Sequence, residues 1–145
     1  MKILGIDPGK TTGLAMIEIN PETKKPRLIE ARACMDVSGI EYNDWLKEAD
    51  HIVVEDFKVR PQKAERGSFN WSQMETPKII GSIQTLAKLL GKTIVLQQPS
   101  VKPMGYGYAH MVYVKGKQGT HIQDAAAHAM FFAVKKKLCL PSKLL

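Results

Sequence analysis

Beyond position 57 this 145-residue chain has almost no acid: Glu65, Glu75 and Asp124 stand alone against 14 lysines and arginines. The first 57 residues hold 11 acids and 7 bases, so the formal net charge of +7 divides into −4 and +11. A basic part of that strength points to a polyanionic partner, while a merely solvated surface is the plainer reading of Lys135, Lys136, Lys137 and Lys143. Cysteine is scarce, with only Cys34 and Cys139, which excludes a disulfide framework and suits free thiols in a reducing compartment. No apolar run approaches the roughly 20 residues that cross a bilayer. Met1 and Lys2 lead straight into a strand-like stretch, so no signal peptide is expected and the expected compartment is the cytoplasm. Internal repeats and low-complexity linkers are also missing, and the length suits one domain over residues 1–145.

What the chain does have is concentrated first at Ile3-Leu4-Gly5-Ile6-Asp7-Pro8-Gly9-Lys10-Thr11. Alternation places Ile3, Gly5 and Asp7 on one strand face and Leu4 and Ile6 on the other, and Pro8-Gly9 ends the strand in a turn. Three readings compete: a turn capped by the Asp7 carboxylate, a phosphate loop, or a metal-binding carboxylate at a strand end. The phosphate loop fails on spacing, because the glycine required at position 4 is Leu4. A metal site would need acids arriving from elsewhere.

Residues 14–19 and 27–34 read as two further strands of an antiparallel meander around a breaker-rich turn at residues 20–26, and residues 40–49 read as a short amphipathic helix. His51-Ile52-Val53-Val54-Glu55-Asp56-Phe57 is a buried strand that also ends on acid. Reached through a helix, it is expected to run parallel to the first strand, with Asp7 and Glu55 facing each other at the carboxyl ends. The stretch from Lys58 to Glu75 mixes Lys58, Arg60, Lys63 and Arg66 with Phe69 and Trp71, a composition suited to phosphate contacts and base stacking. A helix is expected over residues 78–90 after Thr76-Pro77, then a fifth strand over residues 93–96. Residues 97–119 hold Lys102, Tyr106, Lys115 and Lys117 without an acid and read as irregular.

Thr120 and Gln123 form a capping-box signature for a last helix that is almost wholly apolar. His121, Asp124 and His128 lie on one stripe of it. An acid on such a helix is costly unless a positive group lies against it, although the helix dipole is a simpler source of stabilisation for Asp124. His121 and His128 also fit as cap or core histidines, the deeper His128 more so.

These pieces together, Ile-Leu-Gly-Ile-Asp7-Pro-Gly, Ile-Val-Val-Glu55, the helix start at Lys78 and His121-Ile-Gln-Asp124-Ala, make a chain that resembles the RuvC-like Holliday junction resolvases of the ribonuclease H-like superfamily, in particular their compact phage members. The resemblance implies an α/β fold with a five-stranded mixed sheet, order 3-2-1-4-5, flanked by helices. It also implies a site of Asp7, Glu55, His121 and Asp124 for Mg²⁺, with Mn²⁺ able to substitute, and hydrolysis of phosphodiesters in branched DNA by a homodimer. Lys10, Arg60, Lys63, Arg66, Phe69, Trp71, Lys78, Lys115 and Lys117 are the expected nucleic-acid contacts. Two alternatives share the fold: a nucleic-acid-binding module without turnover and an RNA-processing nuclease. An actin-like ATPase needs a second lobe for which the length leaves no room.

Overall fold

The first strand carries the expected alternation into three dimensions. In a computed structural model describing residues 1–35, 40–57, 75–112 and 120–141, β1 (Lys2–Asp7) pairs antiparallel with β2 (Thr12–Ile19) and parallel with β4 (His51–Glu55). β3 (Pro26–Cys34) and β5 (Ile94–Gln97) form the two edges, giving a five-stranded sheet in the order β3-β2-β1-β4-β5. Helices α1 (Asn43–Glu48) and α2 (Glu75–Leu89) cover one face, and α3 (Lys102–Ala109) and α4 (His121–Lys135) cover the other. Leu4, Ile6, Ile52 and Val54 pack toward α1 and α2, while Ile3, Ala15, Ile17 and Val53 pack toward α4. Asp7 and Glu55 therefore emerge on the α4 side, two residues beyond Gly5 and Val53, because strand side chains alternate.

One expectation is corrected. The stretch after β5 is not irregular: Pro99–Val101 forms a 3-10 turn that runs into α3. Pro103 and two glycines argue against a helix by propensity, yet proline is tolerated in the first turn, where its missing N–H has no helical partner. Gly105 is required by packing, since a Cβ there would lie 2.4 Å from the Ala127 carbonyl oxygen on α4. A bulge between β2 and β3 at Met16/Ile17, with Ile29 of the edge strand skipped in the ladder, also had no sequence signal.

α4 sits unusually close to the sheet. A Cβ at Gly5 would lie 2.0 Å from the Ala125 carbonyl oxygen, and one at Gly13 would lie 2.0 Å from the carbonyl oxygen of His121. These approaches bring the N-terminal turn of α4, with His121 and Asp124, onto the ends of β1 and β2. Gly5→Ala is accordingly expected to lower stability by about 1–3 kcal/mol through overpacking. Gly81→Ala, in α2 where a Cβ meets nothing within 4 Å, should raise it by up to about 1 kcal/mol. Chemical denaturation of the two variants reads the contrast, and a Gly5→Ala protein as stable as the parent would contradict the packing account.

Candidate metal centre

Three carboxylates that are far apart in sequence meet at the carboxyl ends of β1 and β4. One oxygen from each of Asp7, Glu55 and Asp124 lies within 4.8 Å of the others. Asp7 and Asp124 are buried and Glu55 is partly so. Asp7 is delivered by the end of β1, beyond which the Thr12 hydroxyl closes the turn by donating to the Gly9 carbonyl at 3.0 Å. Glu55 is the last residue of β4, and the next residue, Asp56, turns away to accept from Gln98 Nε2 at 3.2 Å and from the Phe57 N–H at 2.9 Å. Asp124 lies in the first turn of α4, whose start is fixed by the Thr120 hydroxyl accepting from the Gln123 N–H. Asp7 and Asp124 thus share one cluster with Glu55, and Asp124 also keeps the first-turn position that the helix dipole favours.

Each acid has at least one side-chain partner. His121 Nδ1 lies 2.8 Å from Asp7 Oδ2, and His128 Nε2 lies 2.8 Å from Glu55 Oε2. The Tyr106 hydroxyl donates to Asp124 Oδ1. The Lys102 ammonium bridges two acids, 3.1 Å from Glu55 Oε2 and 3.2 Å from Asp124 Oδ2. Burial, then the nearby negative charge of Glu55, pushes the Asp7 carboxyl up to about 6 against the opposing hydrogen bond from His121. At Glu55 burial is the largest single influence and acts upward, but the hydrogen bonds from His128 and Lys102 together hold this carboxyl below its ordinary value. Lys102, although desolvated, is held above the ordinary lysine value by Glu55 and Asp124.

Three oxygen donors of like charge, concentrated around a cation from the protein itself, are the donor set that hard divalent ions take. Lys102 stands as the chain's own counter-ion in that cluster. The residues present therefore fit Mg²⁺ or Mn²⁺.

No protein-family model and no curated protein matches the sequence. Solved structures do resemble the fold. Thermus thermophilus RuvC in complex with a Holliday junction substrate superposes with a TM-score of 0.69 at 16% identity, over 95% of this chain and 96% of that one. A fowlpox virus resolvase in complex with Holliday junction DNA gives a TM-score of 0.56 at 13% identity, over 95% and 99% of the two chains. The yeast mitochondrial Holliday junction resolvase Ydc2 gives 0.53 at 11% identity, over 94% and 79%. The chain shares the fold of these solved structures.

Within that fold, the four site residues expected from sequence do not all stand alike. Asp7, Glu55 and Asp124 form the cluster, whereas His121 stays outside it, anchored on Asp7 with half of its side chain exposed. Lys10 is exposed on the turn after β1, and Lys78 is exposed in the first turns of α2. Arg60, Lys63, Arg66, Phe69, Trp71, Lys115 and Lys117 lie outside the described residues. Lys102, Tyr106 and His128 are the residues at the site that sequence reasoning did not place there. A signal for Lys102 existed in the unmatched acid on an apolar helix, since a buried Asp124 calls for a cation nearby. Among the described residues no helix is long and apolar enough to cross a membrane.

Proposed function

We propose that this protein is a Mg²⁺-dependent endodeoxyribonuclease that resolves four-way DNA junctions by phosphodiester hydrolysis, acting as a homodimer in the cytoplasm. The observation that carries the proposal is the convergence of Asp7, Glu55 and Asp124 on one point of a resolvase fold, with a lysine ammonium between two of them. Those three carboxylates would hold the ion, with Mn²⁺ as a substitute. When bound, a divalent ion supplies positive charge to a phosphoryl oxygen and makes a bound water more acidic. His121, tied to Asp7 through Nδ1, has its second ring nitrogen on a half-exposed side chain and is placed to orient the attacking water or to complete the ligand set. Lys10 and Lys78, with the basic and aromatic residues at 60–71 and 115–117, would hold the phosphate backbone and stack on unpaired bases.

The substrate is tested by offering a four-way junction, a flap, a linear duplex and an RNA hairpin side by side in Mg²⁺. The junction is expected to be cut in preference to the duplex. Cleavage of the hairpin with the junction intact would replace the proposal with an RNA-processing nuclease. Binding without cleavage in Mg²⁺ or Mn²⁺ would replace it with a binding module.

Resolution requires two symmetric nicks, and each chain offers one such cluster among the described residues, so two copies are needed and twofold symmetry suits the junction. Leu89 of α2, with 79% of its surface exposed, is a candidate interface residue, as are Phe69 and Trp71 from the sequence alone. Mixing Asp7→Asn subunits with active ones should yield heterodimers that nick one strand and leave the junction unresolved. Paired nicks undiminished by an excess of inactive subunit, with a monomer sedimenting on the junction, would defeat the dimer.

A further inference from the structure

His128 lies on α4 one turn beyond Asp124, is completely buried, and has small residues, Ala127 and Ala129, as its chain neighbours. Burying an imidazole in such surroundings is unfavourable unless its ring nitrogens have polar partners, and here each has one: Nε2 donates to the Glu55 carboxylate, and Nδ1 faces the Gln97 amide, which pairs with a neutral ring by turning its NH₂ toward it. Nε2 lies 2.8 Å from Glu55 Oε2, and Nδ1 lies 2.8 Å from Gln97 Oε1. Glu55 and Gln97 are register partners on the parallel strands β4 and β5, so their side chains stand next to each other on the face that α4 covers. The ring thus ties one helix to two strands through a carboxylate that belongs to the metal cluster.

Of the two groups that hold Glu55, only one is in a position to stay when a metal ion arrives. Lys102 bridges Glu55 and Asp124 within the cluster and is the cation that a divalent ion would replace. His128, backed by Gln97, lies 2.8 Å from Oε2, the same oxygen that Lys102 reaches at 3.1 Å, while Oε1 has the longer 3.5 Å contact to Lys102. We propose that His128, fixed by Gln97, is a positioning residue that orients the Glu55 carboxylate for metal binding, an inference that rests on the reading of Asp7, Glu55 and Asp124 as metal ligands. Hydrogen bonds to a ligating carboxylate of this kind govern metal affinity without contributing a ligand. The ring also couples the axial placement of α4, and with it Asp124, to the placement of Glu55.

The test compares the parent with His128→Leu, His128→Gln and Gln97→Met by the rise in melting temperature with added Mn²⁺ in the absence of DNA. The Mn²⁺ dependence of junction cleavage and junction binding in EDTA are measured alongside. The Mn²⁺ midpoint of His128→Leu should increase about tenfold or more, as for other groups that orient metal ligands. Gln97→Met, which touches no metal ligand, should shift it less in the same direction. His128→Gln should return it toward the parent, because its amide can still donate to Glu55, and DNA binding in EDTA should be equal in all four proteins. A His128→Leu protein with the parent's midpoint would overturn the proposal even if it melts lower, since a packing role alone moves the melting temperature and not the midpoint. Should His128→Leu fail to fold, an unchanged midpoint in Gln97→Met would overturn it equally. A parent that Mn²⁺ does not stabilise would defeat the metal reading and this proposal with it. A parent that binds Mn²⁺ but cuts no DNA would defeat only the nuclease reading and leave the comparison of midpoints intact.

Discussion

Asp7→Asn should abolish junction cleavage, by about a thousandfold or more, and at the same time stabilise the metal-free protein at neutral pH. The first effect follows because several kcal/mol of charge stabilisation depend on the ion that Asp7 helps to hold, and each 1.36 kcal/mol is a factor of ten in rate. The second follows from linkage. Burial and the charge of Glu55 raise the folded-state value of Asp7 to about 6 from its ordinary 3.8, so the folded state binds a proton more tightly than the unfolded state does. Stability therefore falls as pH rises from about 4 to about 6, and above that window the ionised Asp7 costs about 1–3 kcal/mol, which asparagine avoids. Below about pH 4 the parent is protonated in both states and the advantage of the variant should vanish. Saturating Mn²⁺ should reverse the order, since an ion at a hundred times its dissociation constant adds about 2.7 kcal/mol to the parent and much less to a protein lacking one ligand. Thermal melts across pH with and without Mn²⁺ measure all of this. An Asp7→Asn protein that cuts at the parent's rate would sink the site assignment.

Lys102→Met should have the second largest effect. Lys102 neutralises Glu55 and Asp124 at 3.1 and 3.2 Å, and without it three carboxylates crowd one cluster with that ammonium gone. Removing one partner of a fully buried pair costs about 3–5 kcal/mol; with 23% of the Lys102 side chain exposed, a loss of about 2–3 kcal/mol is expected for the metal-free protein. The same change removes a competitor for the site, so Mn²⁺ should bind more tightly and restore most of the lost stability. Denaturant titrations with and without Mn²⁺ separate the two effects. Unchanged metal-free stability together with an unchanged Mn²⁺ midpoint would show that the ammonium does not occupy the place of the ion.

Much of this arrangement was legible in the residues because strands report their faces. Alternation through Ile3, Gly5 and Asp7 put the first acid on the face that α4 covers, and the apolar run before Glu55 marked a buried strand reached through a helix. Together they gave the parallel pairing of β1 with β4 and the meeting of two acids at the carboxyl ends of those strands. The cap on Thr120 likewise placed Asp124 in a first helical turn. The contributions of α3 were hidden for a local reason: Pro103, Gly105 and Gly107 lower helix propensity, and the packing that overrides it, Gly105 against the Ala127 backbone, is a tertiary fact. With the helix unread, Lys102 and Tyr106 had no direction. His128 was visible on the stripe of Asp124, but its partners come from the ends of β4 and β5, whose side-by-side placement no spacing along the chain encodes.

The proposed holding of the divalent ion by Asp7, Glu55 and Asp124 together is tested by the anomalous diffraction of Mn²⁺ in crystals of the protein grown in that metal. A peak bounded by oxygens of all three carboxylates is expected, with the Lys102 ammonium drawn away from Glu55 and Asp124 and the His128 hydrogen bond to Glu55 retained. Lys102 still bridging those two acids, with no peak among the three at a Mn²⁺ concentration that supports cleavage, would contradict it.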